Sequence, residues 1–201
     1  IGSKRGVQTE LCLARLRRWV PKLRTWGVSA TLGNLKEARD VLLGTDSEGS
    51  VLIDSRQQRP IEVTTMVPVS VDRFPWGGHL GLGMIKRVVE ALRQGGSTLV
   101  FTNTRSQTEI WHQALLDADP SLKRRIAVHH GSLSREARSE TEDRLMNGDL
   151  LAVVCTSSLD LGLDFSCIDQ VIQIGSPKGV ARLLQRAGRS GHGPGRVPRL
   201  C

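Results

Sequence analysis

Residues 98–117 read TLVFTNTRSQTEIWHQALLD, and the passage from strand to helix inside this stretch decides the fold. Thr98–Thr102 is a β-branched and aromatic run of strand length. Thr104 followed by Gln107 has the spacing of a capping box, in which hydroxyl and amide satisfy each other's backbone donors at a helix start. The helix this opens runs to about Asp117 and is stopped by Pro120.

The same phrase repeats on either side. Upstream, a helix over Met84–Arg93 ends at Gly95-Gly96. Downstream come a strand at Arg125–His130, a helix from Ser134 to Met146 closed by Asn147-Gly148, and a strand at Leu151–Thr156. An extended segment at Gln170–Ile174 and a helix at Val180–Ala187 complete the series. The strands are short apolar runs rather than alternating ones, and helices separate them. That pattern predicts an α/β fold, a parallel sheet with helices on both faces.

The N-terminal part is less regular. A helix is expected over Val7–Val20, with Cys12, Leu13, Leu16, Trp19 and Val20 on one face and Pro21 as its stop. Trp26–Ala30 is a short apolar segment leading into Thr31-Leu32-Gly33. Asn34 with Glu37 is a second capping box, opening a helix that runs to Leu43 and ends at Gly44. Ser50–Asp54 and Ile61–Pro68 look extended, and Asp72–Gly83, with Pro75 among several glycines, reads as a connector.

Composition narrows the class. With 39% hydrophobic and 24% charged residues in 201, the chain is not disordered. No apolar run approaches the ~18 residues of a membrane span. The first residues do not read as a signal segment, so a cytoplasmic protein is expected. Cys12, Cys155, Cys167 and Cys201 are scattered, which predicts free thiols and no metal site. The net charge of +8 is uneven: residues 1–26 and 178–201 each carry +6, leaving the middle at −4. Two basic ends suit a polyanion, the phosphates of nucleic acid or nucleotide; solvated surface charge is the alternative. Four Trp, three Phe and no Tyr make stacking on an aromatic platform a poor mode of binding. The chain opens on Ile1 and closes at Cys201 after a Gly/Pro/Arg-rich stretch, and is expected to be an excerpt of a larger protein.

Parallel sheets bind ligands at the carboxyl ends of their strands. Here those ends read Ser29-Ala30-Thr31, Thr102-Asn103-Thr104-Arg105, His129-His130-Gly131, Thr156-Ser157-Ser158 and Gly175-Ser176-Pro177. Hydroxyls, glycines and an arginine in five such loops suit an anion. In Gln185–His192 (QRAGRSGH), Arg186 and Arg189 are three apart, so a helical turn aims both guanidiniums the same way, and Gly188 and Gly191 allow a partner close to the backbone. A flexible basic loop is the other reading. Thr156–Phe165 (TSSLDLGLDF) spaces Asp160, Gly162 and Asp164; its carboxylates suit a metal or a ribose hydroxyl, or Asp160 is simply a cap. His129 and His130 read as ordinary loop-edge histidines.

Taken in order, SATLGN at 29–34, TLVFTNTRSQTEIW at 98–111, HHGSLSR at 129–135, TSSLDLGLDF at 156–165 and QRAGRSGH at 185–192 resemble motifs III, IV, IVa, V and VI of superfamily 2 helicases. FPWGGHLG, LVFTNTRSQTE, VVCTSSLDLGLDF and IGSPKGVARLLQRAGRSGH narrow the likeness to the large helicase-related (Lhr-type) group, nearest the bacterial ligase-associated DEXH-box helicases. The resemblance implies a RecA-like P-loop NTPase fold. It puts the C-terminal part of a first lobe at 1–67, a connector at 68–83 and most of a second lobe at 84–201. It makes Arg189 an arginine finger to the γ-phosphate of ATP, with Arg186 as helper. Gly162, Asp164, Gln185 and His192 fall at nucleotide positions, His192 standing where many relatives carry a further arginine. Ser29, Ala30 and Thr31 match the motif that couples hydrolysis to lobe movement, and Thr104, Arg105, Gly131, Thr156 and Ser157 match contacts to the nucleic-acid strand.

The expected activity of the parent is therefore ATP-driven 3′-to-5′ movement on DNA in repair. The expected partners are single-stranded DNA or a duplex with a 3′ tail, RNA hybrids, and a DNA ligase. No G-x-x-x-x-G-K-[ST] and no D-E-x-H occurs in these residues, so magnesium and most of the triphosphate are expected to be held by the rest of lobe 1, and the chain alone is not expected to hydrolyse ATP. The alternative left open is a non-catalytic nucleic-acid-binding module on a RecA-like scaffold.

Overall fold

A computed structural model of the chain describes residues 4–29, 32–44, 49–54, 60–67, 81–160, 167–177, 179–191 and 197–201. The chain divides into two compact units, Ile1–Gln58 and Arg59–Cys201.

Among its described residues the first unit holds two α-helices, α1 (Lys4–Trp19) and α2 (Leu35–Leu43). Local chemistry accounts for α2: Asn34 Oδ1 accepts from Glu37 N at 3.1 Å, and Asn34 Nδ2 donates to Glu37 Oε2 at 2.9 Å. The guanidinium of Arg17 donates to Leu42 O, tying α1 to the end of α2. Among the described residues of this unit only Gly6 is buried. Trp26 and Val28 are 87% and 96% exposed, and the apolar stripe of α1 stays open at Leu16, Trp19 and Val20.

The second unit carries β1 (Glu62–Val63), a 3-10 turn (Leu82–Met84), α3 (Ile85–Gly95), β2 (Thr98–Phe101), α4 (Arg105–Ala118) and β3 (Ile126–His129). There follow α5 (Arg135–Met146), β4 (Ala152–Cys155), β5 (Gln170–Gln173), α6 (Val180–Ala187) and β6 (Arg199–Leu200). The strands form one six-stranded sheet in the order β1-β6-β5-β2-β4-β3, every pair parallel. The period of two along each strand builds two cores. Val100, Val154 and Ile172 face one way, against Val88, Leu92, Trp111 and Leu115 of α3 and α4. Leu99, Phe101, Val153, Cys155 and Val171 face the other, with Leu145 of α5 and Ala187 of α6. Each such side chain removed from water contributes about 1.5–3 kcal/mol, so this unit holds a real core.

β1 falls within the expected extended stretch Ile61–Pro68, whereas β6 was not expected. Glu62 N donates to Pro198 O at 2.9 Å and Thr64 N to Leu200 O at 2.8 Å, which puts residues 60–67 with the second unit, whereas the lobe border was expected after residue 67. Gly191 makes the approach of β6 workable: its φ is +71°, and a Cβ there would lie 2.7 Å from Pro198 N. The close neighbour of Gly191 is thus the chain's own backbone. The expected connector at 68–83 falls almost entirely outside the described residues. No helix among the described residues is long and apolar enough to cross a membrane.

Candidate nucleotide and nucleic-acid site

The central strands end in register. Phe101 of β2 is level with Cys155 of β4 and Gln173 of β5, and His129 of β3 is level with Cys155. The chain therefore leaves the sheet at Ile174, Thr102, Thr156 and His130 side by side, about 4.8 Å apart per strand. Just beyond, Asn103, Thr104 and Arg105, Gly131 and Ser132, Ser157, and Gly175 and Ser176 are exposed, with Thr156 half-buried. One edge thus gathers four of the five expected loops. The fifth belongs to the first unit: Ser29 lies where residues 23–29 form no strand, and Ala30 and Thr31 fall outside the described residues.

The edge is braced from within. Thr102 N donates to Cys155 O at 2.8 Å, and Asn103 Nδ2 donates to Ser176 O at 3.0 Å, joining the ends of β2 and β5. Thr104 Oγ1 caps α4 by accepting from Gln107 N at 3.2 Å; the Gln107 amide oxygen reaches past the expected partner to Asn103 N, at 3.1 Å. The guanidinium of Arg105 donates to Ser132 Oγ, spanning from the start of α4 to the loop after β3. Hydroxyls, open amides and a cation on a fixed edge can hold phosphate oxygens without reading bases. Cys155 beneath them is fully buried, and burial pushes its thiol pKa well up, so it packs as a small apolar side chain.

The two arginines of QRAGRSGH part company. Leu183, Arg186 and Ala187 follow the i, i+3, i+4 spacing of the inward face of α6, so Arg186 is carried into the core and is 2% exposed. Its Nε donates to Asp160 Oδ1 at 2.8 Å and one terminal nitrogen to Gln173 Oε1 at 2.6 Å, while Cζ lies 4.4 Å from the centre of the Phe101 ring. Charge, planar fork and aromatic face are all matched, and this guanidinium has no open side for a ligand. Arg189 lies past the helix, which Gly188 ends, and is half-buried; a terminal nitrogen donates to the backbone oxygen of Asp160 at 2.9 Å. The pair was expected to aim the same way, and both reach Asp160, Arg186 its carboxylate and Arg189 its carbonyl. Arg182 Nε is 3.5 Å from the same carboxylate. Asp160, 6% exposed, is therefore an anion among arginines rather than a metal ligand. Gln185 is half-buried on α6; Gly162, Asp164 and His192 lie outside the described residues. Among the described residues no three His, Cys, Asp or Glu side chains assemble a metal site.

Two histidines that residue reading dismissed are built into the edge. His129 is buried with Nε2 2.9 Å from Glu142 Oε1 and Nδ1 2.7 Å from Ser158 Oγ. His130 Nε2 is 2.7 Å from Glu109 Oε1, and Ser132 N donates to its Nδ1 at 3.3 Å. The alternation Ala127, His129 on the face toward α5 was the available signal. A cleft of about 580 Å³ lies between α3 and the β1–β6 edge, lined by Glu62, Met66, Arg87, Glu90 and, from β5, Gln170, none of them among these groups.

Comparison with known proteins agrees with this architecture. The helicase conserved C-terminal domain matches residues 83–193, more than half the chain. Lhr-Core protein 2 of Thermococcus barophilus, an ATP-dependent helicase, is 37% identical over 194 residues, spanning 94% of this chain and 22% of the relative. The Lhr helicase/uracil glycosylase of Escherichia coli is 34% identical over 242 residues, spanning 98% and 16%. The structure of Mycobacterium smegmatis helicase Lhr bound to ssDNA and AMP-PNP superposes with a TM-score of 0.80 at 32% identity, over 98% of this chain and 26% of that one. The chain thus spans about a quarter or less of each of these relatives. With its parallel RecA-like sheet and the ordered motifs at its carboxyl edge, the chain belongs to the helicase conserved C-terminal domain family, as a piece of a superfamily 2 helicase of Lhr type.

Proposed function

We propose that this chain is the strand-gripping and phosphate-sensing part of an ATP-driven motor that moves 3′ to 5′ along DNA. Ile1–Gln58 is the end of a first RecA-like lobe and Arg59–Cys201 the second. The observation that carries the reading is the in-register row of exposed Thr104, Arg105, Gly131 and Ser157 with half-buried Thr156 on one sheet edge, and Arg189 tied to Asp160 just beyond β4. In this reading the row holds the backbone of one strand, single-stranded DNA or the 3′ tail of a duplex, through hydroxyls, amides and one guanidinium. Such contacts position a strand without selecting sequence.

Arg189 is the arginine of this pair that fits an anionic phosphate, because it is half-open past the end of α6 whereas Arg186 is enclosed in the core. Bound ATP would supply the triphosphate whose cleavage powers the motor. Arg189 would stabilise the charge on the transferred phosphoryl, a role worth about 10³–10⁵ in rate. Arg186, already engaged by Asp160 and Gln173, is a buttress that fixes the end of α6 from which Arg189 projects. Gln185 would meet the nucleotide from the same helix. Nothing among the described residues is assigned to magnesium. A DNA ligase partner and a place in repair stand as part of the same proposal.

The test uses the full-length protein carrying this chain. A 3′-tailed duplex should be unwound with ATP and a 5′-tailed one left intact. Combining Arg105→Ala with Thr156→Ala should weaken single-strand binding about tenfold or more, the scale of two lost polar contacts. Strand binding that ignores ATP, with no unwinding of either duplex, would replace the motor by a passive binding module.

A further inference from the structure

His129 ends β3 directly beneath the loop that carries Thr156 and Ser157, and at 1% exposure it cannot itself reach a ligand. Its polar atoms nevertheless organise that loop. Glu142, on α5, only accepts, so Nε2 carries the hydrogen of this 2.9 Å contact. Burial holds the imidazole pKa below its ordinary value despite the opposing pull of Glu142, which leaves Nδ1 as an acceptor. Nδ1 is 2.7 Å from Ser158 Oγ, and Ser158 Oγ is also 2.9 Å from the carbonyl oxygen of His129. The single hydroxyl hydrogen of Ser158 is thus shared between two acceptors of one residue. The same carbonyl takes Thr156 N–H at 3.2 Å, and Thr156 Oγ1 donates to Ser158 Oγ at 3.4 Å. A continuous line of bonds runs from α5 through the ring to Thr156.

We propose that His129 is a positioning residue, whose Nδ1 and carbonyl hold the Thr156–Ser158 loop in the geometry that grips a nucleic-acid backbone while Glu142 fixes the tautomer that makes this work. The proposal rests on the reading that Thr156 and Ser157 meet the strand. It also explains why a polar ring is buried at a strand end where an aliphatic side chain would pack as well.

The two halves of the ring can be separated by substitution. His129→Asn keeps a polar atom near Nδ1 and gives up the reach to Glu142; His129→Gln does the reverse; Ser158→Ala removes the shared hydroxyl. The measurement is the concentration of a thymidine homopolymer strand giving half-maximal ATP hydrolysis by the full-length protein. His129→Asn should stay within about threefold of the unaltered protein, while His129→Gln and Ser158→Ala should raise that concentration about tenfold, the weight of one positioned polar contact. Turnover at saturating strand should hold. A role confined to tying α5 to the sheet predicts the opposite order, Gln outperforming Asn with Ser158→Ala neutral, and that result would overturn the proposal. Should either histidine variant melt early, Ser158→Ala decides alone. Thr156→Ala, measured alongside, separates the two failures. If it leaves strand affinity unchanged, the strand reading fails; if it weakens binding while Ser158→Ala does not, only the role of His129 fails.

Discussion

The two units of this chain form helices equally readily and bury side chains very differently. In Ile1–Gln58, α2 is capped as well as any helix in the molecule, yet no apolar side chain among the described residues is buried. In Arg59–Cys201, Trp111, Phe101, Leu99 and Val153 are inaccessible on the two faces of one sheet. The difference separates what local sequence chemistry can do from what long-range pairing must do. A capping box makes a helix by itself. A strand and a core need partners from elsewhere in the chain, and the candidate site sits where those partners exist.

Substitutions should expose this contrast, most strongly in the second unit. Trp111→Ala should lower its stability by about 3–5 kcal/mol, whereas Trp26→Ala, at a side chain 87% exposed, should change stability by no more than about 0.5 kcal/mol, both read from denaturant melts. Equal effects would mean that the first unit has a core of its own. Within the second unit, Arg186→Ala should lose about 3–5 kcal/mol because it strands the Asp160 carboxylate in the interior. Arg189→Ala, which removes a half-buried side chain past the end of α6 and leaves the Asp160 carboxylate still paired with Arg186, should lose less, on the order of 1 kcal/mol. An effect confined to the first unit is expected from Asn34→Ala, which should remove about 1 kcal/mol from α2, seen as reduced helicity by circular dichroism without a change in the melting of the second unit.

The same contrast marks how far the sequence could be read. The helix at Val180–Ala187 has the bounds its pattern predicts, and the boxes at Asn34–Glu37 and Thr104–Gln107 cap the helices they announce, because those signals are complete within a few residues. β2, β3, β4 and β5 were legible as apolar runs, and the sheet trims each by a residue or two. β1 lies inside the stretch Ile61–Pro68 that reads as extended, but β6 was not legible: two residues long, it is a strand only because Pro198–Leu200 can pass Gly191 and meet Glu62–Thr64. At the site, register along the edge followed from strand order, but the separate fates of Arg186 and Arg189 did not. Spacing of three says that two residues share a helical face only if the helix spans both; the predicted end at Ala187 already put Arg189 past it, and the spacing does not say that the face of Arg186 is the buried one. Leu183 and Ala187 flanking Arg186 were the cue. His129 was missed for a related reason, since its value lies in Glu142 and Ser158, thirteen and twenty-nine residues away.

The most direct test of the account is the strand-stimulated ATP hydrolysis of the full-length protein with Arg189→Ala. If Arg189 stabilises the transferred phosphoryl, the variant should bind ATP and single-stranded DNA much as before and lose about 10³-fold or more in stimulated turnover. Turnover within a few-fold of the unaltered protein would contradict the assignment and leave this edge a strand-binding surface without a part in the chemistry.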